Sequence, residues 1–244
     1  MISIIMPVHN GECTIRKSID SILNQSFQDI KIYIVDDCSD DDTPSIISGY
    51  NSDRIFYLRN KENLGVAESR NVGINFSKGK YISFLDSDDI WHPEKLKKQI
   101  DILNSGFDVV CSNYIAFQSE NNLMEGRKRM SPEVIFFKDM LKSNFIGNLT
   151  GIYNAEKLGK FYQKNIGHED YVMWLGIMTR AQKAYCVQEP LAYYRVSSTS
   201  LSGNKFKAML WQWNIYRNEV KLSLVSSCYF FFCYVFYALK KRKN

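Results

Sequence analysis

Three aspartates within four positions, Asp86, Asp88 and Asp89, close an apolar run at Tyr81-Ile82-Ser83-Phe84-Leu85. Strands buried on both faces read as near-continuous apolar runs, and open α/β sheets collect ligands beyond the carboxyl ends of their strands. Carboxylates crowded at such an end repel one another unless a cation sits between them. An Asp-x-Asp pair there is a seat for a divalent metal, and oxygen ligands favour Mg²⁺ or Mn²⁺. A competing reading has the same acids capping the helix after Trp91-His92-Pro93. A second acidic group, Asp36 to Asp42, ends the apolar run Ile30 to Val35. A third, Glu169-Asp170, opens a segment in which Tyr171, Trp174, Leu175 and Met178 share one helical face. A helix N-terminus favours an ionised carboxylate.

The elements that would hold these groups alternate. Ser3–Val8 reads as a strand, Thr14–Gln25 as a helix with Ile15, Ile19, Ile22 and Leu23 on one face. A strand over Ile30–Val35, a short helix over Pro44–Gly49, a strand over Ile55–Leu58 and a helix over Val66–Phe76 follow. Next come the strand from Tyr81, a helix from Pro93 with Leu96, Ile100 and Leu103 on one face, and a strand at Phe107–Cys111. This order predicts a mostly parallel sheet covered by helices. Further on, Ser131-Pro132 signals a helix start, and Val134, Phe137 and Leu141 keep helical spacing.

Composition excludes several classes. Of 244 residues, 45% are hydrophobic and 23% charged, which is globular usage rather than disorder. Six cysteines are scattered without a CxxC pair, which points to free thiols in a reducing compartment. Three histidines, with no HExxH, leave no basis for a histidine-rich metal site. Gly73 to Lys80 imitates a phosphate loop, but it has five residues between its glycines and Tyr81 in place of Ser/Thr. The net charge of +5 is uneven: residues 205–244 hold eight Lys/Arg against Glu219 alone. No nucleic-acid-binding pattern is present.

Taken in order, the motifs resemble those of bacterial family-2 glycosyltransferases of the GT-A fold, over about residues 1–205. They are Ser3-Ile4-Ile5-Met6-Pro7-Val8-His9-Asn10, then Val35 to Asp41, then Asn63 to Asn71, then Asp86-Ser87-Asp88. Glu169 to Trp174, Tyr194-Arg195 and Ser200-Leu201-Ser202 complete the set. The resemblance implies an α/β, Rossmann-like domain at 1–204 with a C-terminal helical extension at 205–244. It implies that Pro7, Val8 and Asp36 or Asp37 hold the nucleotide base, a carboxylate being able to accept the imide N–H of uracil. Arg70 would contact the nucleotide, as a permanently charged fork of donors can; alternatively it is a surface charge on its helix.

By the same resemblance Asp86 faces the ribose or sugar and shares the metal with Asp88, while Asp89 caps a helix. Mn²⁺ or Mg²⁺ would be the cofactor. Asp170 would be the general base for an inverting transfer, with Trp174 either lining the sugar pocket or packing in the core. Two positions depart from the family. Tyr194-Arg195-Val196 runs into Ser197 where many relatives carry histidine, which leaves Arg195 to help hold the diphosphate; Cys38 stands where glycine is common.

Leu222 to Leu239 is an uncharged stretch of 18 residues, followed at once by Lys240-Lys241-Arg242-Lys243. As a helix it would reach about 27 Å, short of a hydrocarbon core of about 30 Å. Its tyrosines suit an interface. It reads as a helix lying on an anionic membrane surface, with packing inside the protein or a homodimer, or a true span, as alternatives. The sequence thus predicts a cytoplasmic enzyme, peripheral on the inner face of the cell membrane. It would move sugar from a nucleotide-diphosphate donor, UDP first, to a glycan or lipid-linked acceptor of a surface polysaccharide. A sugar nucleotidyltransferase and an inactive nucleotide-sugar-binding scaffold are the rival readings.

Overall fold

The computed structural model describes residues 1–118, 123, 126–196 and 205–243. Ser197 and the Ser200-Leu201-Ser202 motif lie outside the described residues, as do the side chains of the basic run at 240–243. The chain opens with β1 (Ile2–Val8), α1 (Ile15–Leu23), β2 (Ile30–Asp36), α2 (Thr43–Ser48), β3 (Ile55–Arg59) and α3 (Val66–Phe76). It continues with β4 (Tyr81–Phe84), β5 (Ile90–Trp91), α4 (Lys95–Asn104), β6 (Val109–Phe117), β7 (Arg127–Arg129) and β8 (Val134–Phe136). Then come α5 (Phe137–Met140), β9 (Ile152–Asn154), α6 (Ala155–Leu158), α7 (Glu169–Ala181) and β10 (Lys183–Arg195). The C-terminal segment is α8 (Lys205–Asn214), a wide turn at Ile215–Glu219, and α9 (Leu224–Lys243).

One sheet runs β3-β2-β1-β4-β9-β6-β10-β5, with β7 on β6 and β8 on β10. β3, β2, β1 and β4 are mutually parallel, as are β6 and β10, while β9 lies antiparallel between β4 and β6. This is the helix-flanked, mostly parallel α/β sheet expected from the alternation. Side chains alternate across a strand, and β1 shows it: Ile2, Ile4 and Met6 pack with α1 and α4, whereas Ile5 packs with Ile74 of α3 on the other face. Gly73 lets α3 sit closely there, because a Cβ would come 2.6 Å from the Ile5 side chain. The false phosphate loop is this helix end and the turn into β4.

Residues 134–141 differ from expectation. Val134–Phe136 is a strand paired antiparallel to Lys183–Tyr185, and only one helical turn follows. Val134 and Phe136 are exposed while Ile135 is fully buried, a period of two rather than 3.6. The edge of β10 supplies backbone partners that outweigh the helical spacing. The C-terminal segment packs on the core: Ile215 and Tyr216 are fully buried in the same cluster as Trp174 and Met178.

Candidate functional site

The parallel pairing aligns Val8 with Asp36 and Ile5 with Phe84, so β1, β2 and β4 deliver their C-terminal ends to one edge. The loops there are stitched together. Asn10 N–H donates to Ser39 Oγ at 2.9 Å, Asp40 N–H to Asn10 Oδ1 at 2.9 Å, and Gly11 N–H to Thr43 Oγ1 at 2.8 Å. Cys38 has φ +62°, the left-handed region, which is the physical reason a glycine suits that position.

The two neighbouring aspartates at the end of β2 part company. The fully buried Asp36 accepts from Ser39 N–H at 2.8 Å and from the Tyr57 hydroxyl at 2.7 Å, with Arg59 Nε at 3.5 Å. Its carboxylate is thus engaged within β2 and β3. Asp37 accepts from Asn60 Nδ2 at 2.7 Å, Leu64 N–H at 2.9 Å and Gly65 N–H at 2.8 Å, so it pins the loop that enters α3. Burial works against the Asp37 charge, but these bonds outweigh it and hold the carboxyl below its ordinary value. Asp37 N–H in turn donates to Val8 O at 2.7 Å, which sets Pro7 and Val8 beside it.

Arg70 is the centre of the neighbouring cluster. It rises from α3, 6% exposed, and its guanidinium donates to Asp86 Oδ1 at 2.6 Å and to Gln163 Oε1 at 3.1 Å. Its Nε is buried without a hydrogen-bond partner. Burial opposes the charge, yet Asp86, Asp170 and Glu169 together raise the Arg70 pKa. The surface-charge alternative for Arg70 therefore does not describe this side chain.

Near that cation three carboxyls, Asp88, Asp89 and Asp170, are held above their ordinary values. Burial raises Asp88, as does the Asp86 charge, while Arg195 and Arg70 pull it back. Burial raises Asp170 too, against the pull of Arg70 and a bond from Tyr171 N–H. Asp89 is raised furthest, by burial and then by Asp86 and Asp88. It does not cap a helix: 1% exposed, it accepts Arg195 N–H at 2.8 Å, and α4 starts only at Lys95. Arg195 also donates from Nε to Asp88 O at 3.0 Å, so the end of β10 is tied to the turn after β4.

Trp174 belongs to the core. It is fully buried, packs on Phe84 and Tyr153, and its Nε1 lies 3.3 Å from Asn148 Oδ1. The structure therefore brings Arg70, Asp86, Asp88, Asp170 and Arg195 together, places Pro7, Val8 and Asp37 at the adjoining strand ends, and turns Asp36 inward. Gln163 was missed; no local pattern marks a glutamine in an irregular segment. Tyr114 was also missed; it meets Tyr194 of the Tyr194-Arg195 motif. Their rings meet edge to face at 6.2 Å, and burial, helped by the fields of Asp89, Asp86 and Asp88, pushes Tyr194 up to about 12.

Among the described residues no three His, Cys, Asp or Glu side chains form a ready metal cage. The donor set nonetheless fits a hard cation arriving with its ligand. Mg²⁺ sites of this kind use one or two carboxylates plus substrate phosphates, and such a cation would relieve the Asp86 charge that, after burial, helps raise Asp88.

A model for glycosyl transferase family 2 matches residues 3–171. Among curated relatives, a Bacillus subtilis protein provisionally named the teichuronic acid biosynthesis glycosyltransferase TuaG is 32% identical, over 99% of this chain and 97% of its own. The Escherichia coli UDP-Glc:alpha-D-GlcNAc-diphosphoundecaprenol beta-1,3-glucosyltransferase WfgD is 34% identical, over 99% of this chain and 94% of its own. Among solved structures, S. aureus TarS 1-349 in complex with UDP-GlcNAc superposes with a TM-score of 0.72 at 19% identity, covering 96% of this chain and 71% of that one. That last likeness is one of fold.

Proposed function

Because the chain belongs to glycosyl transferase family 2, we propose that it inverts the anomeric centre of a UDP-sugar while moving the sugar to a lipid-linked hydroxyl acceptor. The relatives' teichuronic acid and diphosphoundecaprenol names support a place in surface polysaccharide synthesis. The observation that carries the chemistry is Arg70, whose one guanidinium pairs with Asp86 and lies in the field of Asp170.

Asp170 accepts the acceptor's hydroxyl proton as that oxygen forms its bond to the anomeric carbon. The bond from that carbon to the diphosphate oxygen breaks on the opposite side, and UDP leaves. A carboxyl raised toward the working pH is a stronger base than an ordinary one. Arg70 and Arg195 face the charge growing on the diphosphate; Asp37 with the Pro7-Val8 backbone forms the base end. Asp86 and Asp88 would hold a divalent cation, which would supply charge neutralisation for the leaving diphosphate. Asp36 acts through the loop it braces.

The test is UDP release by the full chain across a panel of UDP-sugars with Mn²⁺ and a GlcNAc-diphospholipid acceptor. Asp170→Asn should lower kcat by about 10²–10⁴ while UDP still binds. Full activity in that variant would remove the base, and equal activity in chelator would remove the cation. UDP binding without transfer or donor hydrolysis by the native chain would favour the inactive scaffold.

The proposal extends to a membrane surface. Val225, Tyr229, Phe232, Phe236 and Leu239 of α9 are 56–81% exposed. Their spacing puts them on an arc of about 80°, whereas Phe230, Phe231 and Tyr237 pack on the core. Among the described residues no helix is long and apolar enough to cross a membrane. The exposed stripe and the basic end suit a helix lying on anionic lipid in the cytoplasmic leaflet. Phe232→Glu with Phe236→Glu should abolish co-sedimentation with phosphatidylglycerol vesicles and leave turnover of a soluble acceptor unchanged. A dimer dissolved by the same change would assign the stripe to a second copy.

A further inference from the structure

Asp170 is approached through an unusual backbone. Gly167 has φ +80° and His168 has φ +54°, two left-handed residues in succession immediately before α7. Such a conformation suits glycine and disfavours a side chain bearing Cβ, and it persists only where its surroundings over-determine it. The first turn of α7 holds only the His168 carbonyl, through Val172 N–H at 3.0 Å. The His168 side chain makes no capping bond at the helix N-terminus, and its Nε2 is buried without a hydrogen-bond partner.

The constraint comes from the C-terminal extension, beyond the residues that the family model matches. The Trp211 indole of α8 sits against the turn, so close that a Cβ on Gly167 would stand 2.3 Å from Trp211 Cδ2. The His168 ring meets the same indole edge to face at 5.4 Å. The extension also grips the residues on either side. Gln212 Nε2 donates to the Tyr171 hydroxyl at 3.4 Å, Tyr171 donates to Met140 O at 2.7 Å, and Lys164 pairs with Glu219 at 2.5 Å.

We infer that Trp211 is a positioning residue for Asp170: the indole seats the Gly167–His168 turn and thereby fixes where the carboxylate meets the acceptor hydroxyl. Trp211 need not touch the donor, since Arg70, Asp86 and Asp88 are held by β4, α3 and the end of β10. The inference rests on Asp170 being the base, and loss of that reading is distinguishable. An active Asp170→Asn variant removes the base itself, whereas an inactive one beside a fully active Trp211→Ala variant removes only the positioning.

The experiment compares Trp211→Ala, Trp211→Phe, Gly167→Ala and the Trp211→Ala/Gly167→Ala pair in the full chain. It reads kcat, donor KM, UDP affinity by calorimetry, and melting temperature. A misplacement of about 1 Å costs about 10²-fold in rate, so Trp211→Ala should lose about ten- to hundredfold in kcat with donor KM and UDP affinity held. Trp211→Phe, which keeps a ring over the turn, should recover most of the loss. Gly167→Ala should lose kcat on its own and add less than that loss to Trp211→Ala, because the side chain it strikes is gone. A native kcat in Trp211→Ala would overturn the inference, as would donor affinity falling in step with kcat. If Trp211→Ala does not fold, a native kcat in Gly167→Ala overturns it equally.

Discussion

Arg70 spends its charge on several carboxylates at once, and removing it should be read in the pH profile rather than in rate alone. Burial already raises Asp170, and Arg70 is the first influence that holds the rise back. In Arg70→Met that restraint is gone, so the pKa climbs further and the fraction ionised at a given pH falls. The acid limb of kcat should therefore move to higher pH, measured at saturating donor; an unmoved limb would show that Arg70 does not act on the base. Asp37 gives the opposite case. Its pKa is lowered in the fold, so its contribution is present above the ordinary value and is lost as pH falls through the native one. Asp37→Asn leaves Leu64 and Gly65 facing a poorer acceptor and should cost about 1–3 kcal/mol in urea unfolding at neutral pH, with the gap closing in acid. Sequence marks Asp36 and Asp37 alike. Only the strand pairing, with Tyr57 and Arg59 on β3 reaching Asp36 and the α3 loop reaching Asp37, tells them apart.

At the level of elements, α3 shows what a legible pattern can and cannot convey. Its bounds, Val66–Phe76, are those its periodicity predicts, yet no period announces that Gly73 is where it presses on β1 and β2. Gly73→Ala must displace Ile5, and overpacking of this kind typically costs about 1–3 kcal/mol. Chemical unfolding should show that loss even though alanine is the better helix former; a neutral result would mean that Ile5 can swing aside. The segment at 134–141 is the reverse. Its apolar spacing satisfies a helix, but β10 is thirteen residues long and offers Lys183–Tyr185 as an open edge, and backbone pairing there decides the outcome. Asp89 likewise looks like a cap until Arg195, brought from 106 positions away, donates to it.

Across the whole molecule the acid edge costs stability. Asp88, Asp89 and Asp170 all have native pKa values above their ordinary ones, so the fold binds more protons than the unfolded chain in that window. The contribution of these three groups must therefore fall as pH rises from the ordinary carboxylate range through the raised values, while Lys95, buried and held well below its ordinary value, acts in the opposite sense. In the ligand-free protein Asp89→Asn, which keeps an acceptor for Arg195, should raise the melting temperature more at pH 7 than at pH 5. An equal change at both pH values would refute this. By itself the sequence determined the strand–helix alternation of the first half, the acids at the ends of β2 and β4, the carboxylate at the start of α7 and the uncharged, basic-ended tail, because periods of two and 3.6 and adjacent turn chemistry are local properties. Tertiary structure alone decided which carboxylates stay available, that Gln163 meets Arg70 across 93 positions, and that α8 roofs the turn before Asp170. A side chain's burial and its partners are set by groups distant in the chain, and no local spacing encodes them.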